Sequence, residues 1–236
     1  MITRNRATLC ALLAASVTFG LVAPANAQVS QWSDDPVFVP SPENFTLELR
    51  IGTFQPPISS LNTRFNGDLG PAIGLQFDWQ ALRIPYVGAL GVGAGFTWVE
   101  WTGGRATGND EDTVGMSLTT LRAVAVLRVD VLARELDIPL VLTGRFGVDT
   151  GYWATSTQDS DRQSADGWTA GLHWSAQAAL ELDFLEPRAA RRLDDDWGIN
   201  HTYVFGEVYG SHLGMFSDRM LPLGQISWAA GLGFTF

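Results

Sequence analysis

The sequence predicts an all-β protein: an eight-stranded antiparallel up-and-down transmembrane β-barrel with one short periplasmic helix. Three observations predict it. Apolar residues recur at every second position in eight segments. The faces between them are built from small and polar residues with few charges. An export leader opens the chain, and no later stretch is long enough for a membrane helix.

The leader comes first. Arg4 and Arg6 precede an apolar run from Leu9 to Val22, and Ala25-Asn26-Ala27 supplies the small residues of a cleavage site, so residues 1–27 read as a signal peptide. Cleavage leaves 209 residues with 13 Arg against 25 acidic groups, a net charge of −12. That charge excludes a nucleic-acid partner held through phosphates. Cys10 is the only cysteine and leaves with the leader, which removes disulfides and thiolate chemistry. Residues 28–44, with Pro36, Pro40 and Pro42, read as a periplasmic leader, and residues 45–236 as the barrel.

Each strand shows its own alternation. Phe45, Leu47, Leu49 and Ile51 oppose Thr46, Glu48 and Arg50. Ile73, Leu75, Phe77 and Trp79 oppose Gly74, Gln76 and Asp78. In the third, Leu90, Val92, Ala94, Phe96 and Trp98 alternate with Gly91, Gly93 and Gly95, glycines that leave room for long Arg side chains opposite. Leu121 through Val131 oppose Arg122, Arg128 and Asp130. Leu142, Phe146 and Val148 oppose Arg145 and Asp149. Leu172, Trp174 and Leu180 oppose His173, Ser175, Gln177 and Glu181. The segment 201–209 is ambiguous, because Tyr203, Phe205 and Tyr209 share a face with Glu207. A carboxylate facing hydrocarbon is costly, so that face is assigned inward. Ile226 to Phe236 completes the set.

Connections 55–70, 102–115, 155–167 and 211–224 are long and polar, whereas those at 83–85 and 133–139 are short. Long loops at one end and short turns at the other are the asymmetry of an outer-membrane barrel. Residues 186–200 break the pattern. Pro187 suits a first helical position and Gly198 a stop, and Asp194, Asp195 and Asp196 are unfavourable at a helix C-terminus, so the helix is expected to end near Leu193.

Alternation alone also fits a soluble barrel with an oily interior. A solvated exterior would carry far more charge than the Gly-, Ala-, Ser- and Thr-rich polar face here. Aromatic residues gather at strand ends: Trp98, Trp101, Tyr152, Trp153 and Trp168 toward the loops, and Trp79, Tyr86 and Phe234 toward the turns, as interfacial girdles do. The chain ends on Leu232, Phe234 and Phe236, sharing one face. This resembles the terminal strand of outer-membrane barrels, and the resemblance implies recognition by the barrel-assembly machinery. The stretches 130–140 and 184–203 are similar to an uncharacterised family of myxobacterial outer-membrane barrels. That similarity implies the fold and transfers no site. The partners expected are outer-membrane lipid and the assembly machinery, for a monomer located in the outer membrane.

Eight strands leave an interior only wide enough for side chains. The phasing turns Glu48, Asp78, Asp130, Asp149, Glu181 and Glu207 inward with Arg50, Arg122, Arg128 and Arg145, and His173 beside them. Buried charges must be paired, so these are expected to form a cross-lumen network that plugs the barrel. The alternative is a narrow path for ions or small solutes. His173 and Ser175, with Glu181 or Glu207, resemble the His-x-Ser arrangement of outer-membrane lipid A deacylases, whose site faces lipid. Here both residues face inward, so no catalytic residue is assigned and the protein is read as a non-enzyme. The acidic stretches 109–112 and 159–161 are of the kind that binds a divalent cation, but the second lacks the glycine and the terminal glutamate of a calcium loop, and both are read as solvated loops. His201 and His212 fall on opposite sides of the barrel and cannot share a metal, so neither a metal nor a cofactor is expected.

Overall fold

The computed structural model describes residues 43–54, 70–104, 113–157 and 165–236. The signal-peptide and leader segments, apart from Glu43 and Asn44, and the acidic stretches 109–112 and 159–161 lie outside the described residues. Eight antiparallel strands form one closed ring in sequence order, each paired with its neighbours in the chain. They are β1 (Phe45–Phe54), β2 (Gly70–Ile84), β3 (Gly88–Gly104), β4 (Thr113–Val129), β5 (Leu140–Thr157), β6 (Asp166–Glu181), β7 (His201–Ser211) and β8 (Gln225–Thr235). β1 closes the ring on β8, and Phe45 and Phe236 exchange backbone hydrogen bonds of 3.0 and 2.8 Å. Closure leaves no strand edge, as a bilayer requires of any sheet that spans it.

The apolar face points outward. Phe146 is 60% exposed beside Arg145 at 3%, and Leu127 is exposed beside buried Arg128. β7 follows the same parity: Tyr203, Phe205, Glu207 and Tyr209 are buried, whereas Val204 and Val208 face out. An oily exterior around a charged interior belongs to a membrane barrel, and a soluble one would be built the other way.

The wall is uneven in height. β1, β7 and β8 have 10 or 11 residues, whereas β3, β4 and β5 have 17 or 18. Spanning a bilayer takes about 9–11 residues of tilted strand, so the long strands run on past it at the loop end. Outward-facing Trp98, Thr119, Tyr152 and Trp168 are successive register partners across β3 to β6. The Tyr152 and Trp168 rings lie 5.3 Å apart, forming an arc of girdle at one level. Glu100 is exposed on the same face two residues beyond Trp98, where a carboxylate needs water.

Two of the girdle aromatics expected from composition are elsewhere. Trp101 has the parity of Val99, and both are buried inside. Trp153 likewise turns inward against the same apolar cluster. The indole of Trp101 donates to the Phe54 carbonyl at 2.9 Å, which satisfies its one polar atom away from water.

The turn end also differs from expectation in two ways. Among the described residues there are two short helices instead of one: α1 (Val131–Glu135) lies in the β4–β5 turn, so Val131 is helical and does not extend the strand. The second, α2 (Pro187–Trp197), continues through Asp194, Asp195 and Asp196 and does not stop near Leu193. Gly198 explains the extension. At φ 67° it adopts the left-handed conformation, and N–H groups of Gly198 and Ile199 reach the Asp194 and Leu193 carbonyls at 2.9 and 3.1 Å. Capped carbonyls outweigh the modest dipole penalty of half-buried Asp194 and exposed Asp195 and Asp196.

Candidate functional site

The interior of the ring is the most elaborated part of the molecule, and it is stacked in layers. Strand alternation carries each inward residue to a fixed height, and pairing across the ring decides its partner. At the centre lies Arg145 of β5. Its Nη2 donates to Asp78 at 2.7 Å and to Glu48 at 2.8 Å, and its Nε donates to Asp78 at 3.0 Å. Its Nη1 bonds Gln177 and lies 3.4 Å from Glu207. Arg50 forms the second ion pair to Glu207. Neutral donors complete the layer: Gln177 and the Tyr203 hydroxyl donate to Glu48 at 2.8 and 3.0 Å, and Gln76 donates to Asp78 at 2.6 Å. The planar fork of arginine serves three carboxylates from three strands here, which an ammonium group would not do with fixed geometry.

Glycines on β3 make space for this layer. A Cβ on Gly93 would overlap the Asp78 carboxylate, and one on Gly95 would come within 2.7 Å of the Arg122 side chain.

Above the centre, Arg122 donates to Thr97 at 2.8 Å and lies 3.6 Å from Asp149, which accepts from Ser211 at 2.8 Å and contacts His173 Nδ1 at 3.0 Å. The carboxylate beside His173 is therefore Asp149, not Glu181 or Glu207. Among the described residues Ser175 Oγ and His173 Nε2 have no protein hydrogen-bond partner, so the two do not bond each other. Both are buried within the wall, and Trp174 between them faces out. A cavity lined by Arg50, Gly74, Thr97, Arg122 and Tyr209 measures about 10 Å³, room for about one water molecule and far short of an acyl chain.

Higher still the interior becomes apolar. Phe54, Val99, Trp101, Met116 and Leu118 pack with Leu213 and Leu223, which the β7–β8 loop folds back into the mouth. Leu221 of that loop also accepts from Thr169 at 3.0 Å. The polar layers are thus capped at the loop end by a greasy seal that the sequence patterning did not mark.

Below the centre, Arg128 lies over the Tyr203 ring, 5.4 Å from its centroid, and 3.5 Å from Glu181. Asp130 is separate from the central network. It sits on the rim at the head of α1 and accepts from Arg83 and Arg134 at 2.9 Å each. Three further residues, none singled out by the alternation, complete this rim. Glu43 bonds Arg134 and lies 3.6 Å from Arg83, and its other oxygen is 3.3 Å from His201 Nε2. His201 Nδ1 in turn meets Asp183 at 2.5 Å. Burial alone would raise the Glu43 carboxyl, but hydrogen bonds from His201 and Arg134 outweigh it and bring its pKa down to about 2. Because Arg134 follows β4 and His201 begins β7, Glu43 ties residues from well-separated strands across the turn-end mouth.

Glu181, Asp183 and His201 bring ligand-type atoms within 4.8 Å of one another. Each is already engaged, Glu181 by Arg128 and the other two by each other, so the cluster is charge-compensated as it stands. Leu232, Phe234 and Phe236 lie on or beside the outer face of β8, with Leu232 exposed and the two rings half-buried.

No protein-family model matches the chain, and no curated protein matches it. Solved structures do resemble it. The attachment invasion locus protein Ail of Yersinia pestis, solved with the heparin analogue sucrose octasulfate, is similar at 13% identity and a TM-score of 0.46, over 82% of this chain and 97% of that one. The outer membrane protein OprG from Pseudomonas aeruginosa follows at 12% identity and 0.44, over 82% and 96%. The N-terminal β-barrel domain of OprF from Pseudomonas aeruginosa gives 11% and 0.42, over 82% and 98%. This chain's own strand order and the outward direction of its apolar side chains make it a membrane barrel. With its ring closed and its oily side turned to lipid, the protein resides in the outer membrane.

Proposed function

We propose that this is a plugged, non-conducting outer-membrane barrel that acts through its loop end, as a structural or surface-binding protein and not as a pore or an enzyme. The observation that carries this reading is the filled lumen. Ion pairs around Arg145 occupy the centre, and the Trp101–Leu213–Leu223 cluster closes the mouth above them. Charges held at 2.7–2.8 Å by a buried guanidinium are poor stepping stones for a passing ion, because leaving the pair costs several kcal/mol. Purified protein in a planar bilayer is expected to give no steady single-channel current, and a stable open current would overturn the plug. His173 and Ser175 face the plug and not lipid, so expression is expected to leave the lipid A mass profile unchanged, and a lost acyl chain would reverse the non-enzyme reading.

In this reading the termini are periplasmic. The monomer contacts outer-membrane lipid, and the barrel-assembly machinery engages the last strand through Leu232, Phe234 and Phe236. Kinship with the uncharacterised myxobacterial barrels belongs to the same proposal, and rests on the stretches 130–140 and 184–203. On intact cells, a cysteine at Thr107 or Ser160 is expected to label from outside and one at Ala189 is not; the reverse result would invert the orientation.

A further inference from the structure

Helix α2 has a face that the barrel does not use. Its residues separate by turn: Ala189, Leu193 and Trp197 recur four residues apart on one side, Arg192 and Asp196 border that stripe, and Arg188, Arg191 and Asp195 fill the opposite side. Eleven residues span about 16 Å, enough to carry a continuous stripe. The apolar stripe is uncovered, with Trp197 75% exposed. An exposed indole of this kind, next to water-facing arginines, marks a boundary between oil and water.

The neighbouring residues show which oil. The lipid-facing wall continues through Leu180 at the foot of β6 and Val204 at the foot of β7, both exposed. Between them the chain presents Phe184 and Leu185, also exposed, immediately before the helix. The other two turns carry Tyr86, Leu136 and Ile138 in the same state. The apolar surface of α2 is therefore an extension of the surface the barrel already gives to the bilayer. Charge argues the same way. Three Arg and three Asp cancel along the helix, which leaves apolar burial and not electrostatics as the source of attraction.

We propose that α2 lies in the membrane interface at the turn end, with Ala189, Leu193 and Trp197 sunk among lipid chains and Arg191 in the headgroup water. The helix thereby fixes the depth of the barrel in its leaflet. Attraction of this kind does not require anionic lipid, so it operates in a zwitterionic bilayer.

Nitroxide labels test the depth directly. Full-length protein with C10S carries A189C, W197C or R191C in separate samples, reconstituted in phosphatidylcholine. A189C keeps Trp197 in place, so one apolar-face label does not remove the anchor. Accessibility to oxygen relative to a water-soluble nickel complex is expected to be severalfold higher at A189C and W197C than at R191C. Equal nickel accessibility at all three sites would place the helix in water and overturn the proposal. Low accessibility to both reagents at A189C would show protein on that face, a second copy or the chain's own N-terminal segment, and would overturn it equally.

Discussion

Arg145 holds the centre of the lumen, and its removal tests how the plug is built. Substitution R145M keeps the length and much of the volume of the side chain and deletes its charge. The consequences for its three acidic partners are unequal. Glu48 keeps donors at 2.8 and 3.0 Å from Gln177 and Tyr203, and Glu207 keeps Arg50. Among the described residues Asp78 keeps only the Gln76 amide at 2.6 Å. Breaking a buried ion pair from one side costs about 3–5 kcal/mol, and most of that charge should fall on Asp78. The variant is therefore expected to unfold about 3–5 kcal/mol more easily in urea titrations in phospholipid vesicles, followed by tryptophan fluorescence and by the gel-mobility shift between folded and heated barrel. Adding D78N should restore the larger part of the loss, whereas adding E48Q should restore little. Wild-type stability in R145M would refute the central role of this pair, and equal rescue by both second substitutions would refute the partition.

Three further outcomes follow from other layers. Glu43 has a folded pKa near 2 against an ordinary 4.5, so its contribution is fully present above about pH 4.5 and is lost as pH falls toward 2. Replacement E43Q should flatten the acid limb of the stability profile by about 1–2 kcal/mol after solvent screening, and an unchanged limb would show that the rim pairs are idle. In G233A the new methyl would overlap the Tyr203 ring, which must move off Glu48, so a loss of about 1–3 kcal/mol is expected in the same titration. W101A removes a fully buried ring from the mouth at a cost of about 3–5 kcal/mol, yet bilayer recordings should stay silent because the Arg145 layer remains beneath.

Strand phase was legible from the amino acids because lipid enforces it: a slip of one residue would put Arg145 in hydrocarbon and Phe146 in the ion-pair layer. That rule also resolves the β7 ambiguity, where the cost of one misplaced carboxylate, Glu207, fixes the direction of three aromatic rings. The misplacement of Trp101 and Trp153 has the opposite origin. Counting parity from Trp98 and Tyr152 turns both inward, but a tendency of tryptophan to line interfaces competes with that count. Parity prevails because the long strands continue their alternation beyond the bilayer, where inward still means into the barrel. Leu213 and Leu223 were hidden because an irregular loop has no period. The rim was partly hidden because Glu43 precedes the first strand and reaches its partners only once the ring has closed. The length of α2 depended on a cap at Gly198 that a count of charges undervalues.

The seam between β1 and β8 has one more implication. Phe45 and Phe236 are bonded side by side, so a few added residues could join them while the chain is opened in a loop at the other end. Such a permuted gene would preserve every neighbour in the cylinder but bury its aromatic tail mid-chain. Spontaneous insertion into vesicles should survive, whereas delivery in living cells should fail if the tail is the address. Thermodynamic destination and cellular routing would then come apart in a single molecule.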